Sequence, residues 1–114
     1  MTHTFTEAVR AFGLSPRALR LYDDLGIVRA GRNRANRRVY EPDQWRELGM
    51  VAELRKAGVS LEDLRSILET FRVQGEPAAA QLALQHVRAE VGRLRREIAD
   101  AYGVARRLRV ALQP

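Results

Sequence analysis

Two arginines lie at the start of a predicted short helix, in the segment SPRALRLYDDLGIV that begins at Ser15. A serine side chain can cap the free N–H groups of a helix, and Pro16 suits the first helical turn. Gly26 favours termination of this helix, because glycine enters the left-handed region without steric cost. Arg17 and Arg20 therefore lie where free N–H groups already create positive potential. This arrangement predicts a surface that binds an anion.

Basic residues are concentrated in one third of the chain. The formal net charge is +6, and residues 10–46 contain nine arginines against four acidic residues, a balance of +5. Nineteen of the twenty basic residues are arginine, and Lys56 is the exception. The planar guanidinium suits phosphate because it donates two hydrogen bonds at once. A GC-rich genome explains the preference for arginine but not its concentration, so the charge pattern favours nucleic acid as the partner.

Other functional classes receive little support from the composition. Cysteine is absent, and the two histidines, His3 and His86, are far apart, so we expect no disulfide, metal site or cofactor. No nucleophile–base pair, carboxylate pair or glycine-rich phosphate loop is present, which argues against an enzyme. The sequence has no apolar run near 18 residues and no basic-then-apolar leader. We therefore expect a cytoplasmic protein that associates with the nucleoid and not with a membrane.

The first 26 residues match a helix-turn-helix pattern. The segment Thr4-Phe-Thr-Glu7 fits a capping box and predicts a helix from about Phe5 to Phe12 that stops at Gly13. The helix that begins at Ser15-Pro16 follows after a very short link. Two short helices separated by a glycine-containing turn are typical of this motif. Their expected shared core consists of Phe5, Val9, Phe12, Leu14, Leu19 and Leu21.

A basic hairpin is predicted directly after this motif. Apolar pairs at positions 27–28 and 39–40 flank the polar segment RAGRNRANRR, which contains five arginines and no acidic residue. Its glycine and asparagines favour a hairpin with a long loop. A disordered basic loop is the alternative, but the position after a helix-turn-helix favours a DNA-binding wing. The expected phosphate contacts of this wing are Arg34, Arg37 and Arg38.

Two further helices complete the predicted N-terminal domain. The segment Glu41-Pro-Asp43 predicts a third helix that ends at Gly58, and Ser60-Leu-Glu-Asp63 is a capping box that opens a fourth. Gly75 and Pro77 then interrupt the chain. The predicted winged helix-turn-helix domain spans residues 1–75, and its two last helices should bury Trp45, Leu48, Val51, Ala52, Leu61, Leu64, Ile67, Leu68 and Phe71.

A heptad pattern dominates the C-terminal segment, residues 76–114. It predicts a helix from about 78 to 112, roughly 50 Å long at 1.5 Å per residue, which the small N-terminal domain cannot cover. The pattern favours dimerisation through this helix. There are two alternatives: the helix folds back on the protein's own core, or it pairs with a different protein. The predicted dimerisation residues, which we call the seam, alternate in spacing between three and four: Leu84, Val87, Val91, Leu94, Ile98, Ala101, Ala105, Leu108 and Leu112.

Taken together, these segments resemble the MerR family of bacterial transcription regulators. The segment FTEAVRAFGLSPRALRLYDDLGIV resembles the family's helix-turn-helix, and LRKAGVSLEDLRSIL resembles its second helical pair. Leu21 stands where the family usually has an aromatic residue, and Asn36-Arg37 replaces glycine-tyrosine in the wing. Asparagine tolerates a left-handed turn, so the wing can still form. The resemblance implies DNA-binding roles for Arg17, Arg20, Tyr22, Arg38 and Tyr40. The full set of expected DNA-binding residues is Ser15, Arg17, Arg20, Tyr22, Arg34, Arg37, Arg38, Tyr40 and Lys56.

The resemblance implies an all-α fold with a small β-hairpin wing, in which a winged helix-turn-helix precedes a long, antiparallel dimerisation coiled-coil helix. It further implies a homodimer that binds a pseudo-palindromic promoter site in double-stranded DNA, distorts it and changes how RNA polymerase meets the promoter. Drug-sensing members carry an additional effector domain and metal sensors carry cysteines near the dimer helix. This sequence shows neither feature, so it resembles a short form and identifies no effector. A nucleoid-type architectural protein with little sequence preference is the alternative function.

Overall fold

The computed structural model describes all residues from 1 to 114. The chain is mostly helical, with three short strands at one end and a long helix at the other. The elements follow one another as β1 His3–Thr4, α1 Phe5–Phe12, α2 Pro16–Asp24, β2 Gly31–Arg32, β3 Arg38–Tyr40, α3 Pro42–Lys56, α4 Leu61–Gln74 and α5 Glu76–Ala111. The predicted fold class, a mainly helical winged helix-turn-helix with a long C-terminal helix, is confirmed.

The predicted capping residues define the first two helices. Thr4 and Glu7 form a complete capping box at the start of α1, and Gly13 ends that helix in the left-handed conformation with φ 63°. The Ser15 hydroxyl accepts a hydrogen bond from the backbone N–H of Ala18 at 3.0 Å. A serine in this position satisfies one of the free N–H groups of α2. The helices are therefore separated by only three residues, 13–15, as in the predicted motif.

The wing belongs to a three-stranded antiparallel sheet with the strand order β1-β3-β2. Gly31 faces Val39 and Arg32 faces Arg38 in the β2–β3 hairpin, while β1 pairs on the other side of β3. The predicted hairpin is confirmed, but β1 was not predicted, since a two-residue strand is too short to show an alternating pattern. The sheet attaches the wing to the start of α1.

The core lies where α1, α2, β3, α3 and α4 meet. Most predicted core residues belong to it or pack against it, but Leu21 is 41% exposed, so that prediction is wrong. Tyr22 takes the inward position on α2 instead. Trp45 lies at the edge of the core and stacks on His3 with ring centroids 3.8 Å apart. The buried cluster consists of Ala8, Leu19, Tyr22, Ile27, Val28, Tyr40, Leu48, Val51, Val59, Leu64, Ile67, Leu68 and Ala79.

The long helix α5 begins against this core and then leaves it. Ala79 is fully buried, and Leu82, Ala83 and Val87 pack against the core. The core therefore extends past the predicted domain boundary at residue 75, and the alternative of a folded-back helix holds for these first three turns. Val87, a predicted seam residue, therefore also contacts its own domain. The rest of α5 projects outward and gives the protein its dimensions of 74 × 30 × 20 Å.

None of the helices is both long enough and apolar enough to cross a membrane.

Candidate nucleic-acid interface

The exposed face of α2 presents two arginines beside each other. Arg17 and Arg20 are both exposed, and no acidic side chain lies within ion-pair distance of either. The guanidinium of Arg20 lies over the ring of Phe5 at 5.3 Å from its centroid. This cation–π contact with α1 orients Arg20, while Arg17 extends freely from the first turn of the helix. The two side chains can therefore approach an anionic partner from one helix face.

A shallow groove of about 500 Å³ runs along this face of α2. Its lining contains Arg17, Arg20 and Asp24 together with the exposed side chain of Leu21. Arginine can donate to a guanine edge, carboxylate can accept from cytosine, and an apolar side chain can contact the methyl group of thymine. The groove thus offers the chemical groups by which helices distinguish base pairs in the major groove of DNA.

The wing carries arginines on a turn that the side chain of Asn33 holds in one conformation. The Asn33 side-chain oxygen accepts hydrogen bonds from the backbone N–H groups of Ala35 and Arg37, each at 3.0 Å. Asn36 has φ 59°, which confirms the expectation that asparagine tolerates a left-handed turn here. Arg34 lies at the tip of this turn and is exposed. The wing is therefore an ordered hairpin rather than a disordered basic loop.

A second groove of about 500 Å³ lies between the wing and the start of α1. No acidic side chain lines it, and four arginines do: Arg20, Arg32, Arg37 and Arg38. Arg20 belongs to both grooves, so the α2 face and the wing form one continuous basic surface. Arg32 was not among the predicted site residues; its guanidinium also donates to the backbone oxygen of Asn36 at 3.1 Å. Such a surface fits a phosphate backbone.

Arg38 differs from the other wing arginines because it is held by an internal ion pair. Its Nε donates to the Asp23 carboxylate at 2.9 Å, and the second carboxylate oxygen accepts from the backbone N–H of Ala30 at 3.1 Å. Burial raises the pKa of Asp23, but these hydrogen bonds outweigh that effect and lower the pKa below its usual value. Arg38 nevertheless lines the wing groove, and the ion pair with Asp23 occupies only its Nε, so its contact with phosphate stays a prediction.

Both tyrosines predicted to bind DNA belong to the core. Tyr40 is fully buried and its hydroxyl has no access to solvent and no hydrogen-bond partner within the chain. Burial raises the pKa of Tyr40, and the negative charge of Asp23 adds to this effect. A direct DNA contact by Tyr40 is therefore wrong. Tyr22 is only 4% exposed, and its ring packs in the core, so its contribution is to hold α2 in place.

The remaining predicted residues lie outside the two grooves. Ser15 is used as the helix cap of α2. Lys56 lies at the end of α3 with a side chain that is 74% exposed, and its ammonium group is 3.8 Å from the carboxylate of Glu53. Surface ion pairs of this kind contribute little stability, so the ammonium group stays available to a partner.

Three charged residues that the sequence analysis missed hold the chain between α2 and the wing. Arg65 donates to the backbone oxygen of Leu25 at 2.7 Å, and Arg72 donates to that of Ile27 at 2.6 Å. Arg72 also pairs with both carboxylate oxygens of Glu47, which is buried in α3. No spacing rule in the sequence connects these positions. These contacts fix the helix-turn-helix on α4.

The seam predicted for dimerisation is largely uncovered in the single chain. Leu84, Val91, Leu94 and Ile98 are 40–56% exposed, and Leu108 and Leu112 are more exposed still. Ala101 and Ala105 are exposed as well. A contiguous row of exposed apolar side chains on a projecting helix is typical of a protein–protein contact.

Comparison with known proteins agrees with this arrangement. Residues 4–70 match the family described as MerR HTH family regulatory protein. The chain belongs to the MerR family of DNA-binding, helix-turn-helix transcriptional regulators. The match includes α1, α2, the wing, α3 and most of α4, so it contains both basic grooves.

Curated relatives of this MerR-family chain are themselves described as uncharacterized HTH-type transcriptional regulators. One from Pseudomonas aeruginosa is 31% identical over 85 residues, which are 72% of this chain and 64% of that protein. The matched region thus spans less than two thirds of that relative. One from Haemophilus influenzae is 30% identical over 104 residues, 84% of this chain and 76% of the relative.

Solved structures share the fold. A Bacillus cereus transcriptional regulator of the MerR family superposes with a TM-score of 0.64 at 17% identity, covering 100% of this chain and 87% of that one. HiNmlR, described as a MerR family regulator lacking the sensor domain and bound to promoter DNA, has a TM-score of 0.61 at 23% identity, covering 92% and 85%. The long C-terminal helix is therefore part of a fold seen in other members of the family.

Proposed function

We propose that this MerR-family chain acts as a homodimer that binds a pseudo-palindromic promoter site in double-stranded DNA and distorts it. The observation that carries the proposal is the continuous basic surface formed by the α2 groove and the wing groove, which meet at Arg20. A helix with exposed arginines fits the major groove, and a basic hairpin beside it fits the flanking phosphates. HiNmlR, which shares the fold, is described as bound to promoter DNA, and this supports DNA as the partner.

Within this surface the residues divide into base-reading and phosphate-binding groups. Arg17 and Leu21 line the α2 groove, where an arginine can pair with guanine and an apolar side chain can contact thymine. Arg37 lines the wing groove and Arg34 is exposed at the tip of the wing, and both bind phosphates. Arg20 joins the two groups and fixes the register of α2 on the DNA backbone.

Two copies of the chain pair through the seam on α5. Full burial of a leucine or isoleucine side chain contributes roughly 1.5–3 kcal/mol. Most of the seam leucines and Ile98 are already about half buried, so each contributes roughly half of that on dimerisation, and a row of them in two copies supports a stable dimer. A dimer holds two basic surfaces at a fixed separation, and the DNA must present two half-sites at the matching spacing. The DNA is distorted where the separation of the two basic surfaces differs from the spacing of the half-sites in undistorted DNA. This distortion changes the promoter that RNA polymerase meets.

Selection of genomic fragments by the purified protein tests this proposal. The expected result is enrichment of fragments that share an inverted repeat near promoters, with a retained complex mass of two chains per site. To measure bending, the site is placed at different positions in fragments of equal length, and the gel mobilities of the resulting complexes are compared. A specificity ratio near one over random DNA would favour the architectural alternative, and a complex with one chain per site would contradict the homodimer.

A further inference from the structure

Two adjacent acidic residues at the end of α2 have different surroundings. Asp23 is partly buried and pairs with Arg38 at 2.9 Å. Asp24 is exposed, and its carboxylate has neither an ion-pair partner nor a hydrogen-bond partner within the chain. Asp23 therefore connects α2 to the wing, whereas no contact inside the protein accounts for an acidic residue at position 24.

The place of Asp24 within its helix is unfavourable as well. It is the last residue of α2, and the last turn of this helix contains no basic residue. The carbonyl end of a helix carries partial negative charge, so a carboxylate at this end is repelled. Asp24 therefore does not stabilise α2, and its replacement should leave the fold intact.

Asp24 instead lines the α2 groove. The other lining residues are Arg17, Ala18, Arg20 and Leu21. The four longer side chains of the groove, all except Ala18, are spaced at i, i+3, i+4 and i+7, which places them on one face of the helix. Recognition helices read bases in the major groove from positions with these spacings. The carboxylate thus lies on the face from which α2 can reach base edges.

A carboxylate on this face is selective for one base. Phosphate oxygens repel it, because like charges in close contact are unfavourable. In the major groove guanine and thymine present hydrogen-bond acceptors and no donor, while cytosine presents its N4 amino group as a donor. Adenine presents an amino group beside the N7 acceptor, which a carboxylate cannot satisfy because it has no proton to donate. Cytosine is therefore the base that matches an aspartate.

We propose that Asp24 is a specificity-determining residue that accepts a hydrogen bond from the N4 amino group of a cytosine in each half-site. This inference rests on the proposed function and adds one base and its position to it. Asp24 follows Arg17 by seven residues, which is about 10.5 Å of helix and about three base pairs of DNA. The cytosine should therefore lie about three base pairs from a guanine read by Arg17.

Selection from randomised half-sites tests the proposal. Wild type should enrich cytosine at one position of each half-site, and Asp24→Ala should lose this preference while keeping the rest of the site. Asp24→Asn should shift the preference toward adenine, because an asparagine amide both donates and accepts. The control Asp100→Asn removes the same charge from an exposed position on α5 and should select the wild-type site. Urea unfolding should give the same midpoint for wild type and both Asp24 variants.

Titrations of two matched sites measure the size of the effect. Wild type should bind the selected site about tenfold more tightly than a site with thymine in place of that cytosine in one half-site. Asp24→Ala should bind both sites with equal affinity. An Asp24→Ala variant that binds every sequence more tightly, with the cytosine preference unchanged, would show that Asp24 only repels phosphates and would overturn the proposal.

The two proposals fail in different ways. A wild-type protein that selects no common site would refute the proposed function itself. A wild-type protein that selects a defined site, recovered with the same stringency for Asp24→Ala, would leave the proposed function intact and refute only the role of Asp24.

Discussion

Asp23, near the end of α2, and Arg38, at the start of β3, form an ion pair with 2.9 Å between carboxylate oxygen and Nε. Both side chains are at most 20% exposed. The same carboxylate accepts a hydrogen bond from the backbone of Ala30, in the link between α2 and the wing. One acidic residue therefore fixes the angle between the helix proposed to read bases and the hairpin proposed to bind phosphates.

Replacing Asp23 should loosen the wing without unfolding the domain. Asp23→Asn removes the ion pair with Arg38, and we expect a loss of about 1 kcal/mol in the free energy of unfolding and weaker DNA binding. The folded-state pKa of Asp23 is lowered from 3.8, so its stabilising contribution is complete above that pH and is lost as the pH falls through the lower folded value. Urea unfolding should therefore show a difference between wild type and variant at pH 6 that shrinks below about pH 3.8. A difference that is constant with pH would contradict this assignment.

The buried carboxylate of Glu47 makes Arg72 important for stability. Arg72→Ala leaves that carboxylate in the core without a partner and also frees the backbone oxygen of Ile27. Removing one member of a buried pair costs roughly 3–5 kcal/mol, and the partial exposure of Arg72 places the expected loss at the lower end. Arg65→Ala is a suitable comparison, since it removes a single hydrogen bond to Leu25 and should cost less. Equal losses in urea unfolding would argue against the special role of Glu47.

The sequence predicted the features that depend on residues close together in the chain. Capping boxes, Pro16 and the glycines gave the helix boundaries to within a few residues, because these residues act on their own turn of backbone. The heptad pattern likewise predicted α5, which begins at Glu76 rather than at about residue 78. Asn36 was assigned to a left-handed turn correctly for the same reason.

Contacts between distant positions were not predictable in this way. The pairing of Asp23 with Arg38 and of Glu47 with Arg72 depends on how helices and strands pack, and no spacing rule connects those positions. The burial of Tyr22 and Tyr40 was missed because a tyrosine suits both a core and a phosphate contact. Leu21 and Tyr22 are adjacent, and only the packing of α2 decides which of them faces the core.

The wing arginines are expected to control affinity rather than sequence preference. Arg34→Ala and Arg37→Ala should each weaken binding to all DNA sequences and reduce the salt dependence of log K by about one unit. Arg38→Ala should instead affect stability as well, because its guanidinium is paired with Asp23. Titrations at several salt concentrations measure the slope. An unchanged slope in the Arg34→Ala/Arg37→Ala double variant would refute the phosphate contacts.

Residues of the α2 groove should instead control which sequence is bound. Arg17→Ala is expected to relax the preference at one position of each half-site, since an arginine–guanine pair contributes roughly 1–3 kcal/mol of discrimination. Leu21→Ala should reduce the preference for thymine over uracil, which lacks the methyl group, wherever Leu21 meets a thymine. Selection from randomised half-sites compares the variants with wild type. The same site recovered with the same stringency for Arg17→Ala would show that this residue does not read a base.

Dimerisation through the seam should be required for high-affinity binding. Ile98 is 56% exposed in the single chain and lies near the middle of the seam. Ile98→Asp would bury a charge without a partner in both copies, which costs several kcal/mol, so we expect monomers at micromolar concentration in light scattering. The control Val110→Asp introduces the same charge on the opposite side of α5, two residues from both Leu108 and Leu112, and should leave the dimer intact.

The Ile98→Asp monomer keeps one α2 groove and one wing, both far from the substitution along α5. Weak, salt-sensitive binding to a single half-site should therefore survive. Binding to the full site should fall to nearly the same affinity, because the second half-site is no longer met at the high effective concentration that the dimer provides. Titration against one and two half-sites measures this difference directly. A mutant monomer that binds the full site as tightly as wild type would mean that the two copies do not cooperate through α5.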